Sequence, residues 1–130
     1  MSVDRSRIIV CDDQKDTALT LAQLLRLYGY DVFSCFAGAV CLAKARVWMP
    51  FAAVIDIGLP GITGYDVARG LRGLPEGEQM LLIAVTGYKN NIKDAQVAGF
   101  DWHFSKPAPP ASIVEVLRNP GLDPEYGTRL

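Results

Sequence analysis

"RIIVCDDQ", residues 7–14, decides how the chain is read. Residues 7–11 form an almost continuous apolar run of strand length, the pattern of a strand covered on both faces of its sheet. Two adjacent carboxylates, Asp12 and Asp13, stand at its end. Neighbouring like charges repel, and ending a strand requires only one turn-forming residue. Something must compensate that pair.

The same alternation continues outward. Ala18, Leu21, Leu25 and Tyr28 recur at helical spacing, and Gly29 is a natural stop. Residues 31–36 predict a second strand, 38–49 a second helix halted before Pro50, and 51–56 a third strand, apolar until Asp56. A turn-rich loop, 58–64, leads into a helix over about 65–74, which 75–77 breaks. Residues 81–86 predict a fourth strand and 89–98 a short helix ended by Gly99. A brief fifth strand over 101–105 and a two-turn helix over 111–118 complete the pattern. The tail from 119 to 130 has no periodicity and is expected to be irregular. Five strands alternating with five helices predict a doubly wound α/β fold with a five-stranded sheet, parallel because each crossover contains a helix. With no repeat and no linker, residues 1–130 read as one domain with its core at about 6–118.

Composition narrows the function. The 130 residues are 50% hydrophobic and 21% charged, the balance of a compact domain able to bury a proper core. A net charge of -1 with scattered basic residues argues against a nucleic-acid face or an anionic-membrane patch. No apolar stretch approaches the roughly 20 residues that span a bilayer. The start, MSVDRSR, lacks the apolar segment of a secretion signal, so a cytoplasmic location is expected. Three cysteines, Cys11, Cys35 and Cys41, are an odd count without metal-like spacing, and read as buried, reduced thiols.

In doubly wound sheets the functional groups gather beyond the carboxyl ends of the strands. Those ends supply Asp12 and Asp13, then Asp56, Thr86, and Lys106 followed by Pro107. Three converging carboxylates raise one another's pKa values unless a cation is bound. An all-oxygen set suits Mg²⁺ or another hard divalent ion. A carboxylate beside such an ion and a lysine is a plausible nucleophile toward phosphorus, giving an acyl phosphate. Lysine and metal would neutralise the phosphoryl oxygens while Thr86 donates a hydrogen bond.

This set, with "DIGLPGITGYDVARGLR" placing Pro60 four and Gly64 eight residues after Asp56, resembles the active site of two-component response-regulator receiver domains. Such domains stand alone or are attached to hybrid sensor histidine kinases, and the likeness covers about residues 6–118. The resemblance implies a flavodoxin-like strand order, 2-1-3-4-5. It implies Asp56 as phosphoacceptor, Mg²⁺ as cofactor, and Asp13 as a direct ligand, with Asp12 acting mostly through a metal-bound water. The Gly58 carbonyl would be a further ligand. Lys106 would pair with the phosphoryl group, Thr86 would move to contact it, and the Lys106–Pro107 bond would be cis. His103 stands where receivers often place a Tyr or Phe that rotates as the threonine moves. Gly58 and Tyr88 would flank the approach to the phosphoryl group.

The implied partner is a sensor histidine kinase or a histidine phosphotransfer domain. Self-association or a downstream protein would use the face around His103, with no nucleic acid and no membrane. Such a domain is not an enzyme beyond its own phosphorylation and slow dephosphorylation. Three rival readings are weaker. A phosphorylation-independent scaffold of this fold has usually lost one of these groups. A Mg²⁺-dependent phosphohydrolase commonly carries an acid two residues after its nucleophile, where Gly58 stands. A flavin module would need a phosphate-cradling loop in place of acidic Asp12 and Asp13.

Overall fold

The computed structural model describes residues 4–87, 92–121 and 126–130. Its strands are β1 (Asp4–Cys11), β2 (Asp31–Cys35), β3 (Pro50–Asp56), β4 (Leu81–Thr86), β5 (Trp102–Ser105) and β6 (Thr128–Arg129). The α-helices are α1 (Lys15–Leu27), α2 (Gly38–Trp48), α3 (Gly64–Arg72), α4 (Ile92–Ala98) and α5 (Pro110–Arg118), with a short 3-10 turn at Gly77–Gln79. The sheet order is β2-β1-β3-β4-β5-β6, and the first five strands pair in parallel.

The sheet's two faces follow from the side-chain alternation of a strand. Ile8, Val10, Val54, Ile83, Val85, Trp102 and Phe104 face α1 and α5, where Ala18, Ala22, Leu25, Ile113 and Leu117 meet them. Ile9, Cys11, Ala53, Ile55, Leu82 and Ala84 face the other way, against Cys41, Ala45, Val67, Ala68, Leu71 and Ala95. Every residue of β3 and β4 is buried, which explains why these strands read as unbroken apolar runs. Each fully buried Ile or Leu contributes about 1.5–3 kcal/mol, so this double-sided core is the main stabilising term.

Two local devices hold the strand ends in place. Thr63 and Asp66 form a reciprocal capping box at the start of α3. Behind it, a Cβ on Gly64 would lie 2.5 Å from Ile57 Cα and 2.6 Å from the Asp56 carbonyl oxygen. Only glycine lets the helix start this close to the end of β3.

The tail departs from expectation. Thr128–Arg129 is not irregular but pairs antiparallel with Trp102 and His103, adding a sixth strand at the β5 edge. Gly127 enters it at φ +94°, and a Cβ there would meet the Phe104 ring at 2.6 Å. The hydrogen bonds come from the backbone, so no side-chain periodicity was needed to form this strand. The remaining predicted boundaries hold within three residues, and residues 89–91 of the predicted fourth helix lie outside the described residues. Among the described residues no helix is long and apolar enough to cross a membrane.

Candidate functional site

The carboxyl ends of β1, β3, β4 and β5 converge at one edge of the sheet. One carboxylate oxygen from each of Asp12, Asp13 and Asp56 lies within 4.8 Å of the others. Asp12 and Asp56 are buried, 5% and 7% exposed, whereas Asp13 and Gly58 reach solvent. Lys106 Nζ donates to Asp12 Oδ2 at 2.8 Å and lies 3.4 Å from Asp56 Oδ2. The Gln14 N–H donates to Asp12 Oδ1 at 3.0 Å, and the Gly58 N–H to Asp56 Oδ1 at 3.0 Å. Both carboxylates are thereby held in fixed orientations.

Three carboxylates against one ammonium leave two negative charges unmatched within the cluster. Burial raises the Asp56 carboxyl above its ordinary value; Asp12 and Asp13 add to the rise, while the Gly58 N–H and Lys106 oppose it. Burial works against the Lys106 ammonium, but the Asp12 hydrogen bond and both carboxylate charges outweigh it and raise its pKa. Oxygen donors of this kind, with a charge deficit of two and an exposed side, fit a hard divalent cation that keeps part of its water shell.

Thr86 ends β4, 1% exposed, and its carbonyl accepts from the Lys106 N–H at 2.7 Å. The Lys106–Pro107 peptide is cis. His103 is opposite Ala84 in the β4–β5 register, which places it and Thr86 on the sheet face away from Trp102 and Phe104. Its Nε2 is buried without a hydrogen-bond partner among the described residues, and burial lowers its pKa. Tyr88 lies outside the described residues. A cavity of about 360 Å³ opens beside the cluster, lined by Asp12, Asp56 and Lys106 and, on its apolar side, by Leu21, Leu24 and Ile113. A larger concavity, about 580 Å³, lies at the opposite ends of the strands, among Arg5, Phe51 and Trp102. The convergent charge, not the size of the hollow, locates the chemistry.

Residues 8–118 match the family described as the response regulator receiver domain. The chain belongs to that family. As a receiver domain, it is 33% identical over 100 residues to the transcriptional regulatory protein KdpE of Mycobacterium tuberculosis, a match covering 77% of this chain and 44% of that one. The DNA-binding response regulator MtrA of Mycolicibacterium smegmatis is 31% identical over 118 residues, 91% of this chain and 51% of its own. The chain thus spans about half the length of these curated relatives. A CheY-like response regulator receiver domain protein from Methanospirillum hungatei superposes with a TM-score of 0.82 at 29% identity, covering 92% of this receiver and 94% of that chain. A Burkholderia pseudomallei response regulator, solved with a phosphorylated aspartic acid, a calcium ion and citrate, gives 0.80 at 26% identity, over 88% and 67% of the two chains.

One contact had no counterpart in the sequence. Lys106, expected beside the phosphoryl group, is bonded first to Asp12, 94 residues away. Only the folded strand order brings those two together.

Proposed function

We propose that Asp56 accepts a phosphoryl group from a phosphohistidine, and that the resulting change in the strand-end loops switches a protein contact. The observation that carries this reading is the placement of Asp56 at the end of a wholly buried strand, within 4.8 Å of two more carboxylates and 3.4 Å from Lys106. A Burkholderia pseudomallei relative with a phosphorylated aspartic acid and a calcium ion supports it.

Asp12, Asp13 and Asp56, with the Gly58 carbonyl, are the groups that would hold Mg²⁺. Bound there, it supplies positive charge to the phosphoryl oxygens and relieves the repulsion among the carboxylates. Asp12 already accepts from Lys106 and Gln14, so Asp13 is the better placed direct ligand and Asp12 acts mainly through water. Asp56 uses one oxygen as nucleophile while the Gly58 N–H holds the other. The new O–P bond forms as the N–P bond of phosphohistidine breaks, and the imidazole nitrogen keeps that electron pair. Lys106 neutralises charge on the transferring oxygens.

Thr86 then contacts the phosphoryl group. His103, on the same sheet face, responds by changing its packing, so a pre-existing two-state equilibrium shifts. The donor is a sensor histidine kinase or a histidine phosphotransfer domain in the cytoplasm. A downstream protein or a second copy reads the face around His103.

Incubation with a small-molecule phosphodonor and Mg²⁺, followed by intact mass spectrometry, tests the reading. Wild type should gain one phosphoryl group, and neither Asp56→Ala nor wild type with excess chelator should. No adduct on wild type, or an equal adduct on Asp56→Ala, would sink it.

A further inference from the structure

Three cysteines take no part in the acidic site, and the fold gathers them. Cys11 ends β1, Cys35 ends β2, and the two stand directly opposite in the parallel register. Cys41 comes from the first turn of α2, laid over the same sheet face. All three Sγ atoms lie within 4.8 Å of one another, and the residues are 1%, 2% and 0% exposed. Their spacing in sequence carries no metal signature. Strand register and helix placement create the cluster.

Three uses compete for such a triad. An oxidation switch requires an exposed thiolate, and these sulfurs are sealed. Simple apolar filling places no demand on the sulfurs to converge. Here the three sulfurs meet at one point, each within reach of a single ion. Three sulfurs converging on one point form the arrangement a cation would complete.

We propose that Cys11, Cys35 and Cys41 form a three-sulfur binding site for a soft, thiophilic metal ion, of which Cu(I) is the best fit. Thiolates select Cu(I) and Zn²⁺ over harder ions. Structural zinc takes four ligands. Among the described residues no fourth Cys, His, Asp or Glu joins this group. The nearest acid in the chain, Asp12, has its oxygens engaged by Lys106 and Gln14. Three-coordinate sulfur therefore favours Cu(I), a closed-shell ion that accepts a trigonal site. With metal–sulfur bonds of about 2.3 Å, trigonal sulfurs stand about 4 Å apart, so the triad must close by less than about 1 Å. Each ligating thiol yields its proton to solvent, and uptake therefore strengthens with pH. This site is independent of whether Asp56 is phosphorylated.

The test is an oxygen-free titration of the reduced full chain with Cu(I) against a chromogenic Cu(I) chelator. Wild type should hold one ion per chain, and Cys35→Ala and Cys41→Ala should each hold it at least tenfold more weakly. X-ray absorption of the loaded wild type should show a shell of three sulfurs, a readout that stands even where a variant fails to fold. No uptake by wild type, equal uptake by folded variants, or a shell rich in nitrogen and oxygen would overturn the site. A parallel Zn²⁺ titration should give weaker retention, and tighter retention of Zn²⁺ would overturn the choice of Cu(I).

Discussion

Two clusters of metal-type ligands stand back to back at the end of β1, joined by the single peptide between Cys11 and Asp12. One is made of oxygen, carries an ammonium, and opens to solvent through Asp13 and Gly58. The other is made of sulfur and is sealed beneath α2. Strand alternation separates them: Cys11 belongs to the α2–α3 face, while the next residue leaves the sheet at its edge. An open, hard-donor site suits an ion that keeps water and serves a passing phosphoryl group. A closed, soft-donor site suits an ion that stays. Ligand type and access change together, within two residues of sequence.

The sharpest way to break this separation is to damage one cluster and assay the other. Asp12→Ala should weaken Mg²⁺ binding within the roughly 10–100-fold expected of an outer-shell partner, and Asp13→Ala beyond it. Cys41→Ala should leave Mg²⁺ affinity unchanged. Fluorescence or calorimetric titration decides. Equal losses for the two aspartates would reverse their assigned roles, and a loss in Cys41→Ala would show that the clusters are one unit.

A smaller effect concerns the charge stored at the oxygen cluster. The folded pKa of Asp56 lies above its unfolded value, chiefly through burial, so its ionised form is the costlier one in the folded protein. That cost is fully developed above the folded pKa and vanishes as pH falls below the unfolded value, near 4. Asp56→Asn should therefore raise the melting temperature by a few degrees at pH 7 without Mg²⁺, and the gain should fade in acid. A lower melting temperature at pH 7 would mean that Lys106 overcompensates the carboxylate.

The smallest effect lies at His103, on the sulfur side of the sheet. Burial lowers its folded pKa below the unfolded value of about 6.5. The unfolded state then binds more protons, so its contribution to stability is complete above that value and is lost as pH falls toward the folded pKa. His103→Phe should flatten the decline in urea-unfolding stability below about pH 6.5. An unchanged slope would assign the decline to other groups.

The sequence made some of this legible and hid the rest for physical reasons. Apolar runs ending in Asp12, Asp56, Thr86 and Lys106 announce a doubly buried parallel sheet, because such strands cannot alternate and their ends are the first exposed positions. The oxygen cluster follows from those ends alone. The sulfur cluster does not, because Cys11, Cys35 and Cys41 meet only through the β1–β2 register and the first turn of α2. β6 was equally hidden, since it is held by backbone pairing to Trp102 and His103 and by a glycine packed on Phe104. The Lys106–Asp12 pair, like the sulfur triad, is a property of strand order.

The central claim is that the open cluster exists to put a phosphoryl group on one named oxygen ligand. After incubation with phosphodonor and Mg²⁺, borohydride reduces an acyl phosphate to the alcohol, leaving homoserine where the modified aspartate stood. Peptide sequencing by mass spectrometry should find homoserine at position 56 alone, dependent on Mg²⁺. Homoserine at position 12 or 13, or none at all, would contradict the account.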